Sequence, residues 1–361
     1  MKELRLMKGN EALAEAAIRH GVDGYFGYPI TPQSEVIEYL MSERPEDRTG
    51  MVVLQAESEV AAINMVYGGA ACGKRVMTSS SSPGVSLKME GVSYIAGSEL
   101  PCVVANIQRG GPGLGTIQPS QADYFQATKG GGHGDYRMIV LAPASVQEMS
   151  DFVGLGFDLA FKYRNPVMIL SDGVIGQMME KVELQPQQPR RTEEQIRKEC
   201  PWATLGKTAD RQRNIITSLE LDSSKQEIFN NKLQAKYAEI EKNEVRYEAI
   251  NCEDADYILV AFGSSARICQ KSMDICRAQG VKVGILRPIT LWPFPYQAVK
   301  DLVKQGVKGF LVVELNAGQM IEDVQLAVAE KVKVEHFGRM GGIIPAPGEV
   351  VEALKTKIIG G

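Results

Sequence analysis

Histidine, tryptophan and paired cysteines are scarce in this sequence. Its 361 residues include two tryptophans, six cysteines and three histidines, which are His20, His133 and His336. No two cysteines form a C-x-x-C pair, the spacing typical of iron–sulfur and zinc sites. With so few imidazoles and no clustered thiols, we expect no metal site in this chain. Any chemistry of this chain must therefore rest on other residues.

Long apolar runs are missing as well. The longest, such as 138–144 and 310–313, are far shorter than the roughly 20 residues that span a bilayer, and the N-terminal segment MKELRLMKG has no signal-peptide core. The net charge of -4 is small and negative, so nothing indicates a nucleic-acid partner. We therefore expect a cytoplasmic protein that acts without a membrane.

Alternating strand and helix patterns organise the rest of the chain. They predict an α/β fold with a doubly wound parallel sheet over residues 1–185. Proline, glutamine and charged residues then predict a linker and helical segment over 186–250, where a helix near 224–246 carries an apolar stripe. The α/β pattern restarts at 251 and predicts a second, smaller domain that extends to 361.

The strongest local pattern lies between residues 55 and 84. A predicted strand leads into a helix that begins near Glu59 and is rich in small residues, such as Ala62 and Gly68, which allow close packing on a sheet. A carboxylate in the first helical turn lies at the positive end of the helix dipole. Glu59 is therefore a candidate functional residue. An ordinary solvated helix start is the alternative, and Glu57 offers the same chemistry in another register.

A second pattern is Tyr-Pro-Ile-Thr-Pro at residues 28–32, directly after a predicted strand near 25–28. Because proline does not continue a sheet, these residues form a turn. The turn would present the Thr31 hydroxyl at the carboxyl end of a strand, where open α/β sheets bind ligands. The alternative is that Thr31 or Ser34 caps the next helix.

Two further segments follow predicted strands. Residues 79–84, SSSSPG, are predicted to form a loop, and Arg109 leads into a glycine-rich loop over 110–137. Glycine permits close approach of the backbone to a ligand, and arginine suits bidentate capture of a carboxylate. A surface ion pair is the alternative for Arg109. His133, in the same loop, is expected to be solvated, and the alternative is that it lines the pocket.

Taken together, these patterns resemble one enzyme family. The Glu-headed helix, the following strand and the Ser/Pro/Gly loop are similar to the pyrimidine-binding domain of thiamine diphosphate enzymes. The order of 28–32, Glu59, 79–84 and Arg109 resembles the α subunit of the 2-oxoacid:ferredoxin oxidoreductases, and the similarity extends over the whole length. It is strongest to the branched-chain (3-methyl-2-oxobutanoate) and 2-oxoglutarate enzymes with separate subunits.

The resemblance implies a reaction and a set of site residues. The reaction is oxidative decarboxylation of a 2-oxoacid to acyl-CoA, CO₂ and reduced ferredoxin. Glu59 would bond the pyrimidine N1′ and so promote deprotonation of the thiazolium C2, and Thr31 and Arg109 would contact the substrate. Further cofactor contacts are implied for four residues: Pro29, Ile30, Ser82 and Gly84.

One motif of thiamine enzymes is incomplete. The diphosphate and Mg²⁺ are usually held by Gly-Asp-Gly and a later Asn, whereas this chain has Ser171-Asp172-Gly173 and no Asn over 190–202. No other phosphate-binding loop replaces the motif. The resemblance therefore implies a thiamine diphosphate shared with a β subunit that carries the diphosphate and Mg²⁺ motif. The [4Fe-4S] clusters would lie on partner subunits, among them a γ and a ferredoxin-like subunit.

The second domain resembles the C-terminal domain of transketolase-like enzymes, which chiefly mediates assembly. At its start, Gly263-Ser264-Ser265 precedes a predicted helix and is either an anion site or a structural cap. Two other functions stay open for the whole chain. One is a nonoxidative thiamine-dependent decarboxylase or synthase component, and the other is a non-catalytic scaffold of the same fold.

The identity of the 2-oxoacid also stays open at this stage. A 2-oxoglutarate enzyme needs a second cationic group for the distal carboxylate of its substrate. A branched-chain enzyme needs an apolar pocket instead.

Overall fold

Most strands of the chain belong to two mainly parallel sheets. The computed structural model describes residues 3–360 and contains a seven-stranded sheet, a five-stranded sheet and a two-stranded ribbon. The strands are β1 Glu3–Lys8, β2 Gly24–Gly27, β3 Val52–Gln55, β4 Val76–Ser80, β5 Cys102–Gln108, β6 Ile139–Leu141, β7 Pro166–Asp172, β8 Met179–Leu184, β9 Tyr247–Ile250, β10 Tyr257–Val260, β11 Val283–Pro288, β12 Thr290–Trp292, β13 Gly309–Glu314 and β14 Lys333–Gly338. The helices are α1 Gly9–Arg19, α2 Ser34–Glu43, α3 Pro45–Arg48, α4 Glu59–Ala71, α5 Ser82–Gly97, α6 Tyr124–Thr128, α7 Val146–Tyr163, α8 Gly173–Gln177, α9 Glu193–Glu199, α10 Ser223–Asn243, α11 Gly263–Ala278, α12 Tyr296–Gln305, α13 Met320–Val328 and α14 Pro347–Leu354.

The larger sheet has the strand order β12-β6-β7-β5-β4-β2-β3 and is parallel except at β12. Every residue of its central strands β5 and β7 is buried. Such continuous burial is expected of parallel strands that helices cover on both faces. The predicted doubly wound α/β fold is thus confirmed.

The smaller sheet has the order β14-β13-β10-β11-β9, with β9 antiparallel at one edge. Helices α11 and α14 pack on it around their own apolar cluster, which includes Cys269 and Val350. This sheet accounts for the second α/β pattern. The boundaries near 185 and 250 stay predictions.

One strand of the C-terminal half joins the larger sheet. After β11, the chain passes to β12, which pairs antiparallel with β6. Trp292 of β12 packs edge-on against Tyr237 of α10, with ring centroids 5.8 Å apart. The apolar stripe of α10 is confirmed, because Leu233, Tyr237 and Ile240 are buried and Phe229 packs beside them. Both halves therefore share core contacts.

The ribbon of β1 and β8 is an element that sequence patterns did not indicate. Its strands pair antiparallel in a register that runs from Glu3 opposite Leu184 to Lys8 opposite Met179. The partners are separated by most of the first domain in sequence, so local composition carries no sign of the pairing. Within residues 3–360, no helix is both long and apolar enough to cross a membrane.

Two local predictions were wrong. Residues 79–84 do not form a loop, since β4 extends to Ser80 and α5 already begins at Ser82. Pro83 is compatible with this because proline is tolerated in the first turn of a helix. Neither Thr31 nor Ser34 caps α2. Its N-cap is Gln33, which makes no side-chain cap bond.

A polar joint connects the two halves at Asp172. Asp172 Oδ1 accepts hydrogen bonds from the backbone N–H groups of Val174 and Ile175 and so caps α8. Asp172 Oδ2 accepts from the backbone N–H of Ser264 at 3.1 Å and from its hydroxyl at 2.7 Å. The start of α11 therefore does bind an anion, but the anion is a buried carboxylate of the same chain. The aspartate of the Ser-Asp-Gly sequence at 171–173 is therefore engaged by groups of the same chain.

Candidate functional site

Glu59 begins α4 at the carboxyl end of the neighbouring strands. The hydroxyl of Ser58 caps this helix by accepting a hydrogen bond from the backbone N–H of Ala61 at 3.2 Å. Glu59 is 7% exposed, whereas Glu57 lies in solvent. The two candidate carboxylates thus differ sharply in environment, and only Glu59 is enclosed by protein.

Gly84, in the first turn of α5, lies directly against the side chain of Glu59. A Cβ atom at this position would be 2.5 Å from Glu59 Oε1 and would also collide with Ser80 Oγ. No ordinary side chain fits there, so a glycine leaves the space that the carboxylate occupies. The hydroxyl of Ser80, which such a Cβ would meet, and that of the next residue, Ser81, are buried, and neither has a hydrogen-bond partner among the residues that the structure describes.

The turn at 28–32 and Arg109 are in direct contact. Arg109 Nη1 donates to the backbone carbonyl of Thr31 at 2.9 Å, and Nη2 donates to that of Leu114 at 3.1 Å. The guanidinium therefore bonds carbonyl groups, in place of the ion pair considered as an alternative. Its buried Nε has no hydrogen-bond partner within residues 3–360. Thr31 is exposed, and Pro29 and Ile30 are half-buried beside it.

A relay of buried hydrogen bonds below the turn, through Gln33, Ser79 and Tyr25, was not predicted from the sequence. The amide of Gln33 donates to the backbone carbonyl of Tyr28 at 3.1 Å and accepts from the hydroxyl of Ser79. Ser79 in turn pairs with the hydroxyl of Tyr25 at 2.7 Å. Burial raises the pKa of Tyr25 to about 12, so this phenol stays neutral near pH 7. The relay attaches the turn to β4.

Ser82 joins a second polar cluster. Its hydroxyl donates to Asp123 Oδ2 at 2.7 Å and accepts from the backbone N–H of Arg109 at 3.0 Å. Asn106 also donates to Asp123 Oδ2, at 2.8 Å. Burial raises the pKa of the Asp123 carboxyl. Asp123 lies in the glycine-rich loop without any motif around it, so no sequence signal distinguished it from a solvated aspartate.

A cavity of about 700 Å³ opens between the two halves of the molecule beside these residues. Arg109, Ser82 and Asp123 line it, whereas Thr31 and Glu59 lie outside its lining. Its apolar wall is formed by Pro83, Pro112, Ala122, Leu315, Ala317 and Met340. His133 is not part of this cavity. It is exposed and contacts the ring of Tyr94, with centroids 6.1 Å apart.

Family models match nearly the whole chain. The model for the thiamine diphosphate-binding domain of pyruvate flavodoxin/ferredoxin oxidoreductases covers residues 15–249. The chain belongs to this family. The model for core domain II of pyruvate:ferredoxin oxidoreductase covers residues 255–350. Both the recognition of the family and the expected fold are thereby confirmed.

Curated members of the family are similar over almost their full length. The ketoisovalerate oxidoreductase subunit VorB of Methanothermobacter marburgensis is 51% identical over 338 residues, which cover 94% of this chain and 93% of that protein. The 2-oxoglutarate synthase subunit KorA of Archaeoglobus fulgidus is 37% identical, with coverage of 94% and 96%. The chain is thus a subunit of a 2-oxoacid:ferredoxin oxidoreductase.

Solved structures agree with this assignment. The 2-oxoglutarate:ferredoxin oxidoreductase from Magnetococcus marinus, with 2-oxoglutarate, coenzyme A and succinyl-CoA bound, matches with a TM-score of 0.82 and 28% identity. The match covers 99% of this chain and 65% of that longer chain. An inactive split-gene transketolase tetramer shares only the fold, at 12% identity and a TM-score of 0.60.

Proposed function

We propose that this chain holds the pyrimidine half of thiamine diphosphate in a CoA-acylating oxidoreductase specific for branched-chain 2-oxoacids. The observation that carries the first part is the contact of the enclosed Glu59 carboxylate with Gly84. The adjacent unpartnered hydroxyls of Ser80 and Ser81 add hydrogen-bonding capacity that a polar heterocycle can use. When bound, thiamine diphosphate would supply the chemistry of a carbanion-stabilising cofactor.

Glu59 is the proposed proton-handling residue. Its carboxylate would accept a hydrogen bond at the pyrimidine N1′, and a charge-assisted bond of this kind is stronger than a neutral one. Pro29 and Ile30, in the exposed turn, and Ser82 and Gly84, at the start of α5, would pack around the ring. The oxidoreductase relatives favour the oxidative reaction over the nonoxidative alternative.

Thr31 and Arg109 are the proposed contacts to the substrate. Arg109 already lies against the Thr31 carbonyl and lines the cavity, so its guanidinium is within reach of a substrate carboxylate. A planar guanidinium binds carboxylates in a bidentate manner. On substrate binding, the guanidinium would exchange its hydrogen bonds to the carbonyls of Thr31 and Leu114 for bonds to the substrate carboxylate.

The remaining half of the cofactor site is assigned to partners. Both oxygens of Asp172 are used inside the chain, so this aspartate does not present itself to Mg²⁺. A β subunit would supply the diphosphate and Mg²⁺ motif. The [4Fe-4S] clusters, with γ and ferredoxin-like subunits, would pass electrons to ferredoxin. The cytoplasmic location stays a prediction.

The cavity supports a branched-chain substrate. Among the residues described, its lining contains a single cation, Arg109, and that cation is assigned to the 2-oxoacid carboxylate. The distal carboxylate of 2-oxoglutarate would face an apolar wall and the Asp123 carboxyl, and an unpaired charge in such a place is costly. The 51% identity to a ketoisovalerate oxidoreductase subunit points the same way.

The test is a substrate comparison on the complex purified with its partner subunits. With CoA and a viologen dye as acceptor, kcat/KM for 3-methyl-2-oxobutanoate should exceed that for 2-oxoglutarate by about a hundredfold, since specificity follows from the uncompensated charge. 2-Oxopentanoate, a five-carbon 2-oxoacid without a distal carboxylate, is the matched control, and we expect it to react nearly as well as the branched substrate. A preference for 2-oxoglutarate would overturn the assignment.

A further inference from the structure

A lysine lies completely buried behind Glu59. Lys88 belongs to α5, one turn beyond Gly84, and it is among the largest side chains with no exposed surface. Lysine is almost never fully buried unless its ammonium is paired. This residue forms no part of the motifs that indicated the site, so its position requires a separate explanation.

The hydrogen bonds of the ammonium leave its charge without a direct counter-ion. Lys88 Nζ donates to Thr78 Oγ1 at 3.0 Å and to the backbone carbonyl of Glu59 at 3.5 Å. Neither of these acceptors is a carboxylate. An ammonium carries three donors, and two of them are accounted for. The second bond ties the lysine to the first residue of α4.

Electrostatics connect the ammonium with the Glu59 side chain. Burial lowers the pKa of Lys88 to about 8, and the negative charge of Glu59 opposes that decrease. The groups packed against the ammonium from α4 and β4 are Glu59 and the uncharged Thr78. The carboxylate of Glu59 is therefore the charge that balances Lys88. A methionine would fill the same volume without the desolvation cost.

We propose that Lys88 is a positioning residue whose buried ammonium holds the first turn of α4 in place and interacts electrostatically with the Glu59 side chain. The inference rests on the function proposed for Glu59. It extends that function, because it identifies a buried cation that packs behind Glu59. The lysine does not touch the substrate, and it acts only through Glu59.

The first test measures the coupling without cofactor or activity. Urea unfolding of the full chain is compared for the wild type, Glu59→Gln, Lys88→Met and the double variant at pH 7. Glu59→Gln should raise the unfolding equilibrium constant about tenfold more in the wild-type background than in the Lys88→Met background, because only with Lys88 present does the substitution leave a buried ammonium without an opposing charge. Glu57→Gln is the matched control and should have the same small effect in both backgrounds.

The second test uses the pH profile of the assembled complex. Removal of a nearby positive charge makes a carboxylate easier to protonate. The acidic limb of kcat/KM should therefore move to higher pH by about one unit in Lys88→Met. Lys88→Gln provides a second neutral variant if the methionine variant does not fold. A merely structural lysine would leave the limb where it is.

The outcomes separate this inference from the proposed function. Additive effects in the unfolding cycle, together with an unmoved acidic limb, would overturn the role of Lys88. Normal turnover by the Glu59→Gln complex would instead overturn the function proposed for Glu59, whatever the coupling. We expect non-additive effects of Glu59→Gln and Lys88→Met on unfolding, together with a shift of the acidic limb of kcat/KM to higher pH.

Discussion

The starts of α4 and α5 in the larger sheet and the start of α11 in the smaller sheet differ in how their polar groups are satisfied. At α11, the backbone N–H and the hydroxyl of Ser264 both bond the buried Asp172 carboxylate. At α4 and α5, the buried hydroxyls of Ser80 and Ser81 have no partner, and Glu59 lies against Gly84. Similar local chemistry thus produces a closed joint in one place and an open site in the other.

The difference shows how an assembly joint is distinguished from a ligand site. Buried polar groups in folded proteins are nearly always hydrogen-bonded, so unpartnered ones require an explanation. At α11 the acceptor is contributed by the other half of the same chain. Beside Glu59 the partners are missing from the described residues of this chain, which is expected if a ligand supplies them.

The largest effect is expected for Glu59→Gln, which disrupts the open site and should slow activation of the cofactor. An amide has no charge to assist a bond at N1′, so exchange of the cofactor C2 proton in the assembled complex should slow by about a hundred- to a thousandfold. Exchange is followed by NMR after rapid quenching. Glu57→Gln, two residues away and exposed, is the control and should exchange normally. The reverse pattern would show that the register is wrong.

Asp172→Ala should break the closed joint between α8 and α11 and so lower the stability of the chain. The substitution leaves four donors without an acceptor, namely the backbone N–H groups of Val174, Ile175 and Ser264 and the hydroxyl of Ser264. We therefore expect a loss of about 3 kcal/mol in the unfolding free energy. Urea titration of the full chain measures it. Asp222→Ala is the matched control.

Asp222 caps α10 in the same way, but at the surface. Water replaces the lost acceptor there, so a loss of only about 0.5–1 kcal/mol is expected. Equal losses for the Asp172→Ala and Asp222→Ala variants would mean that the joint between the two halves contributes no more than an ordinary helix cap.

The smallest of the three effects is expected for Arg109→Ala. Loss of a charge-assisted pair of about 1.5–3 kcal/mol should raise KM for every 2-oxoacid by roughly ten- to a hundredfold. Arg109→Lys keeps the charge without the planar fork and should show a partial loss. Steady-state kinetics of the complex give both values. Weakened subunit assembly at an unchanged KM would identify Arg109 as an interface residue and leave Thr31 as the remaining substrate contact.

Much of the molecule follows from patterns that are local in sequence. The alternation of apolar strands and helices predicted the doubly wound sheet, and the run of small residues predicted a helix that begins near Glu59, where α4 does begin. The order of the Tyr-Pro-Ile-Thr-Pro turn, Glu59 and Arg109 was sufficient to identify the family. Such signals succeed because helix caps, turns and side-chain periodicity depend on neighbouring residues.

Contacts between distant parts of the chain were decided only by the tertiary structure. Nothing in the sequence near Asp172 indicates that Ser264 donates a hydrogen bond to its carboxylate. Likewise, nothing near Thr290 indicates that β12 pairs with β6 of the larger sheet. The burial of Lys88 and the enclosure of Glu59 rather than Glu57 likewise depend on how α4 and α5 pack together. The physical reason is that desolvation and pairing of a polar group depend on every element around it, whereas a sequence pattern records only the residues beside it in the chain.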